Sequence, residues 1–263
     1  MFPIFIALFI LGAISASFIG VLVARLHTGQ GFLIGRSRCD ACNVPLALGA
    51  LVPIFYYVVS RGRARCCGAR LSAYAPLSEL LLGGLFVLSY LKLGITSALC
   101  GMLFSLSLLL ALVLYDLAHQ ILPTTLLFLF VTASAATGLS LAPSFTVFYN
   151  TLFIAFFIAL SLVLIHFLSR GRAMGLADAP LVFGLALLVG PAALSGFVFS
   201  FWIGAVIGIL VLLRRPTGSR IGVEVPFAPF LAAGFLLAYF TQWNPFIFTA
   251  VLPSTIGIVL GLH

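Results

Sequence analysis

Apolar residues run along this chain in blocks of about twenty, interrupted by short polar breaks. A hydrocarbon core of about 30 Å is crossed by roughly 20 helical residues, so blocks of that length predict membrane-spanning helices. They fall at 2–24, 71–91, 95–115, 121–142, 147–168, 180–190, 191–213, 226–240 and 245–262. The pattern predicts an all-α, polytopic membrane protein of about eight transmembrane helices, with 245–262 as the open case for a ninth. The block at 180–190 is short for a span, and reads either as half of a broken helix or as a span that begins at Met174. The first block lacks a basic amino-terminal flank and is followed by Arg25, so it reads as a retained helix and not as a cleaved signal.

One polar segment, 26–70, separates the first two spans, and its apolar middle, 46–59, is too short and too broken by proline to cross. Three regions follow: a first transmembrane helix over 1–25, a small cysteine-containing insert over 26–70, and a helical membrane domain over 71–263. Threading the spans alternately gathers Arg25, Arg36, Arg38, Arg61, Arg63, Arg65, Arg70, Arg170, Arg172, Arg214, Arg215 and Arg220 on one side, with Lys92 as the exception. Under the positive-inside rule that side is the cytoplasm and the amino terminus lies outside.

Composition supports this picture. Hydrophobic residues make up 63% of the chain and charged residues 7%, against about 25% charged in a soluble domain. The formal charge of +8 is placed by orientation in the membrane, because the arginines sit in short loops; no nucleic-acid partner is expected. The five cysteines are not arranged as a disulfide framework, which leaves metal binding or free thiols.

Only five acidic residues are present, and a carboxylate in or beside an apolar span is expensive enough to require a reason. Asp116 ends the third span and Asp178 follows Gly175-Leu176-Ala177, both at the cytoplasmic level of the threading. Two adjacent carboxylates cannot both ionise cheaply, so one keeps a proton while the other activates water, the arrangement by which aspartic proteases hydrolyse amides. The bland alternative is that each aspartate caps a helix end. Glu79 either pairs or orients an aspartate, or reaches to the interface. His166 reads as paired within the bundle, His119 as interfacial and Cys100 as packing.

Several motifs stand in one order: Ala16-Ser17-Phe18-Ile19-Gly20, the Cys39-x-x-Cys42 pair in its arginine-flanked loop, Cys66-Cys67 after Arg61-Gly62-Arg63, Tyr74-Ala75-Pro76-Leu77-Ser78-Glu79, Asp116, Gly175-Leu176-Ala177-Asp178 and Pro226-Phe227-Ala228-Pro229-Phe230. In that order the chain resembles the type IV prepilin leader peptidases, a family of membrane aspartyl peptidases. The resemblance implies catalysis by Asp116 and Asp178 with no cofactor. Its expected substrate is a prepilin or pseudopilin precursor, cleaved after a glycine where a basic cytoplasmic leader meets an apolar segment. It also implies a bacterial inner-membrane location with the site near the cytoplasmic face, and it raises methylation of the new amino terminus from S-adenosylmethionine.

The cysteines Cys39, Cys42, Cys66 and Cys67 form the candidate zinc set; three thiolates with His27, or a reduced set of thiols, remain alternatives. Several positions depart from the family pattern. Ala64 stands at the first position of the second Cys-x-x-Cys pair and Cys66 sits beside Cys67, adjacent cysteines that chelate one tetrahedral ion awkwardly; Ala228 takes the glycine position of the late Pro-Phe-Gly-Pro-Phe motif. Gly20 stands where Asn is usual, Ala177 replaces the second glycine of Gly-x-Gly-Asp, and Pro180 lies where a lysine is frequent. Other readings remain beside the peptidase: a protease cutting within spans, a proton- or cation-coupled transporter, an assembly scaffold, or an inactive pilin-binding homologue.

Overall fold

Twenty consecutive apolar residues satisfy their backbone polar groups internally only as a helix, and helices are what these blocks form. The computed structural model describes residues 2–26, 42, 44, 53–70, 73–172, 174–213 and 226–245. Among them run α1 (Phe2–Arg25), α2 (Pro53–Val59), α3 (Tyr74–Leu93), α4 (Ser97–His119), α5 (Thr124–Leu141), α6 (Phe145–Leu168), α7 (Asp178–Val189), α8 (Ala193–Leu213) and α9 (Ala228–Thr241). No strand occurs among the described residues; a single bridge joins Arg63 to Arg70.

Six helical stretches are long and apolar enough to cross a membrane, with 178–211 counted as one. The protein is therefore a multi-pass helical membrane protein. Its outward side chains agree: Phe145 is 72% exposed, Phe153 66% and Leu164 57% along α6, a surface suited to lipid and not to water. The block expected at 180–190 begins at Asp178 and ends in a short 3-10 turn, Gly190–Ala192, before α8. At 12 residues, α7 is about 18 Å long, well short of the hydrocarbon core. Residues 246–262 of the last block and the arginines at 36, 38, 214, 215 and 220 lie outside the described residues.

The chain divides into two compact units, Met1–Tyr115 and Asp116–His263, so the last turn of α4 belongs to the second. In the first unit α1 packs on α3. A Cβ on Gly12 would stand 2.7 Å from the Gly83 Cα, so the two glycines let the backbones meet. The small helix α2 leans on α3.

In the second unit α7 is the hub. It touches α5, α6, α8 and α9, and every residue of it except Pro180 and Phe183 is buried. Small residues admit the neighbours. A Cβ on Gly138 of α5 would collide with the Leu187 carbonyl oxygen, and one on Gly184 of α7 would stand 2.8 Å from the Phe130 ring. Along α8, Gly196, Ser200 and Gly204 recur every four residues and form one stripe facing α9. Hydroxyls drawn into the helices return to backbone carbonyls: Ser89 to Leu85, Thr137 to Ala133, Thr151 to Val147 and Ser200 to Gly196.

The tetrapeptide Ser-Arg-Gly-Arg occurs twice, at 60–63 and 169–172, and closes a helix the same way each time. Arg61 and Arg170 take left-handed φ values of 51° and 53°. The next N–H, of Gly62 or Gly171, donates back to the carbonyl of Tyr57 or His166 at 2.9 and 2.8 Å, the Schellman closure. In both turns the glycine lies beneath the ring of that residue.

The α8–α9 contact gives a direct test. A Cβ on Gly234 would run into the backbone nitrogen and hydroxyl of Ser200, so Gly234→Ala is expected to destabilise by about 1–3 kcal/mol. This reads out as a lowered melting temperature of the purified protein in detergent.

Candidate active site

The second unit brings three helix ends together: the carboxyl-terminal turn of α4 and the amino-terminal turns of α7 and α9. Asp116 sits in the α4 turn, 7% exposed. The helix ends three residues later, where Gln120 takes a left-handed φ of 55° and donates its N–H to the Asp116 carbonyl at 2.8 Å. The Asp116 side chain meets α9: its Oδ2 accepts the Ala228 N–H at 3.2 Å. Ala228 is the first residue of α9, whose opening N–H groups have no partner within the helix. Pro229 follows, where the missing N–H leaves nothing further to satisfy. The Pro226–Phe230 motif thus has a local reason, since it presents one backbone donor to a carboxylate.

Asp178 opens α7 and is 8% exposed. Its Oδ2 accepts the Gly175 N–H at 3.2 Å, and an acidic side chain in a first helical turn also lies in the favourable field of the helix dipole. Asp116 is bound to the first residue of α9 and Asp178 opens α7, and these two helices pack on each other. Each is held through one oxygen, and among the described residues neither Oδ1 takes a hydrogen bond. That leaves one oxygen of each for water or substrate.

The departures at Ala177 and Pro180 look different in place. Ala177 has φ −70° and ψ −15°, ordinary right-handed torsions that any residue adopts, so its methyl group imposes no backbone strain. Pro180 is exposed in the first turn of α7, where its missing N–H would have had no intrahelical partner. At Gly175 a Cβ would lie 3.4 Å from the Asp178 Oδ2, an ordinary contact distance, so that position also has room for a methyl group.

Glu79 lies in the first unit and is buried, at 1% exposure. His119 is exposed at the end of α4. Cys100 is exposed near the start of α4, and so is not packed among helices. His166 is engaged as expected, through its Nδ1 on the Met174 carbonyl at 2.8 Å.

A second cluster lies in the first unit. The sulfurs of Cys42, Cys66 and Cys67 stand within 4.8 Å of one another, with Cys42 to Cys66 at 3.3 Å and Cys66 to Cys67 at 3.8 Å. A zinc tetrahedron with Zn–S bonds of about 2.3 Å has edges of about 3.8 Å, so the donor set suits zinc. The Arg63–Arg70 bridge, the Ala64 N–H on the Ala69 carbonyl at 2.8 Å and Gly68 at φ 72° fold the turn that brings adjacent cysteines to one point. Cys39 and His27 lie outside the described residues.

These features define a multi-pass helical membrane protein with a buried pair of aspartates in one helical unit. A sequence model of the bacterial peptidase A24 N-terminal domain matches residues 10–93. The Bacillus subtilis prepilin leader peptidase/N-methyltransferase is 30% identical over 233 residues, which cover 88% of this chain and 92% of that protein. The protein of that name from Myxococcus xanthus is 35% identical over 217 residues, 80% of this chain; the chain spans 64% of that relative's length. The one from Dickeya chrysanthemi is 29% identical over 275 residues, 91% of this chain and 94% of that protein. No solved structure matches. The chain belongs to the prepilin leader peptidase/N-methyltransferase family.

The Asp116–α9 bond separates a structural role from a chemical one. Asp116→Ala removes the acceptor of a buried N–H and is expected to cost about 1–3 kcal/mol. Asp116→Asn keeps a carbonyl acceptor and should melt near the wild type in the same detergent.

Proposed function

We propose that this chain hydrolyses the leader from type IV prepilin-like precursors, with Asp116 and Asp178 as the catalytic pair. The observation that carries this reading is the pair itself: two carboxylates from distant parts of the chain, buried in one apolar unit at the starts of the packed helices α7 and α9, each held by a single backbone N–H. Carboxylates so placed share a proton. The ionised member takes a proton from water as the water oxygen attacks the scissile carbonyl carbon. The protonated member donates to the carbonyl oxygen; as the C–N bond breaks, the leaving amine takes the proton that the first member removed from water, and the intermediate's hydroxyl returns its proton to the second.

The threading of arginines puts this pair near the cytoplasmic face of a bacterial inner membrane, with the amino terminus outside. There the basic leader of a prepilin or pseudopilin would end and its apolar segment enter the bilayer. On this reading 1–25 is the first span, 26–70 the cytoplasmic insert and 71–263 the peptidase domain. The eight transmembrane helices proposed are α1, α3, α4, α5, α6, α7, α8 and α9, with α7 and α9 as members too short to cross alone.

The relatives' names also carry N-methyltransferase. Methyl transfer from S-adenosylmethionine to the new amino terminus is the second activity proposed, assigned to the insert. Cys42, Cys66 and Cys67, with Cys39 as the fourth thiolate, would hold a structural zinc that ties the insert together; the peptidase chemistry does not draw on it.

Cleavage of a synthetic prepilin-like peptide in proteoliposomes tests the central reading. The wild type should cut at the leader junction, and Asp116→Asn and Asp178→Asn should each lose about 10²–10⁴-fold in rate, the range for a positioned acid or base. Variants that cut as fast as the wild type would overturn the assignment. For the insert, elemental analysis of purified protein should find about one zinc per chain, lost in Cys66→Ser; protein free of zinc with fully reactive thiols would contradict the site.

A further inference from the structure

The aspartate pair is held by backbone, and the peptide unit that holds Asp178 is itself held. His166 lies in the last turn of α6, half-buried, with Nδ1 2.8 Å from the Met174 carbonyl oxygen. A carbonyl oxygen can only accept, so Nδ1 carries the proton and donates. The same planar peptide unit that offers this oxygen ends in the Gly175 N–H, which donates to the Asp178 Oδ2 at 3.2 Å. One rigid plane is therefore gripped at its oxygen by His166 and grips Asp178 through its nitrogen. Hydrogen bonds in such a chain also polarise one another.

We infer that His166 is a positioning residue for Asp178, acting through the 174–175 peptide unit; this rests on the peptidase reading above. The repeated tetrapeptide isolates what the imidazole adds. At 60–63 the same helix closure is made over the ring of Tyr57, and a Cβ on Gly62 would lie 3.2 Å from that ring. At 169–172 a Cβ on Gly171, which has a φ of 75°, would lie 3.3 Å from the His166 Cε1. A tyrosine suffices to close the turn. The imidazole closes it and in addition presents a donor on the side facing Met174, three residues after the turn's glycine and directly before the residue that binds Asp178.

The test compares three variants in the full chain in proteoliposomes. His166→Phe keeps a ring over Gly171 and removes the donor. The side-chain amide of His166→Asn can place its nitrogen near the Nδ1 position, whereas that of His166→Gln falls near Nε2. For the leader peptide, His166→Phe should lower kcat about tenfold, the scale of one lost hydrogen bond, with KM unchanged. Asn should restore kcat to within about threefold of wild type and Gln should not. Hydrogen–deuterium exchange of the Gly175 amide should speed up in Phe and Gln and return toward wild type in Asn, a readout independent of catalysis.

Wild-type kcat in His166→Phe, or an Asn variant as slow as Phe, would overturn the inference while leaving the peptidase reading intact. If the wild-type chain cuts no leader peptide, the peptidase reading fails and the exchange data alone decide whether His166 holds the peptide unit. Equal Gly175 exchange in all four proteins would then reject it.

Discussion

A polar group drawn into a helical unit surrounded by hydrocarbon must find its partner inside the protein, and a carboxylate is the most demanding case. The second unit meets that demand with backbone. Helix ends are the one place where a helical protein has spare N–H groups, and Asp116 takes such a group from α9. The loop before α7 supplies the other, from Gly175 to Asp178. Much of the unit follows. α7 has to start at the depth of Asp116, so it is short and buried on nearly every face. α9 has to end its approach on the same point, so α8 carries a stripe of small residues that lets α9 lie against it.

This arrangement also accounts for what the site tolerates. Substituting the glycine before Asp178 by Ala177 is harmless to the backbone, because the residue has ordinary right-handed torsions. Gly175 matters through its backbone, whose N–H binds the carboxylate; a Cβ there would stand at ordinary contact distance from the Asp178 Oδ2. Proline at 180 and 229 falls in first helical turns, where a missing N–H is no loss. A positively charged neighbour is absent at 180, and the orientation of Asp178 rests instead on the peptide unit between Met174 and Gly175.

Much of the fold was legible because membrane helices announce themselves by length. Seven of the apolar blocks correspond to the six stretches long and apolar enough to cross a bilayer, two of them sharing 178–211, and Asp116 and Asp178 stood out because so few acidic residues exist. What was not legible has physical causes. α7 is apolar on all sides, so no periodicity marks its start, and residue counting could not tell a broken helix from a displaced span. The role of the Pro226–Phe230 motif as a backbone donor depends on a contact between residues far apart in sequence. The burial of Glu79 was not legible, because position along a helix does not say which face is covered. The sequence does not show the Arg63–Arg70 turn, which brings the sulfurs of adjacent Cys66 and Cys67 within 4.8 Å of that of Cys42.

The account stands on Asp116 and Asp178 acting as one unit, and a double-mutant cycle tests that most directly. The kcat/KM for leader cleavage would be measured for Asp116→Asn, Asp178→Asn and the doubly substituted protein. Groups that act together are grossly non-additive, so the double variant should be no slower than the slower single one. Losses that multiply across the two sites would show independent contributions and contradict the paired-aspartate account.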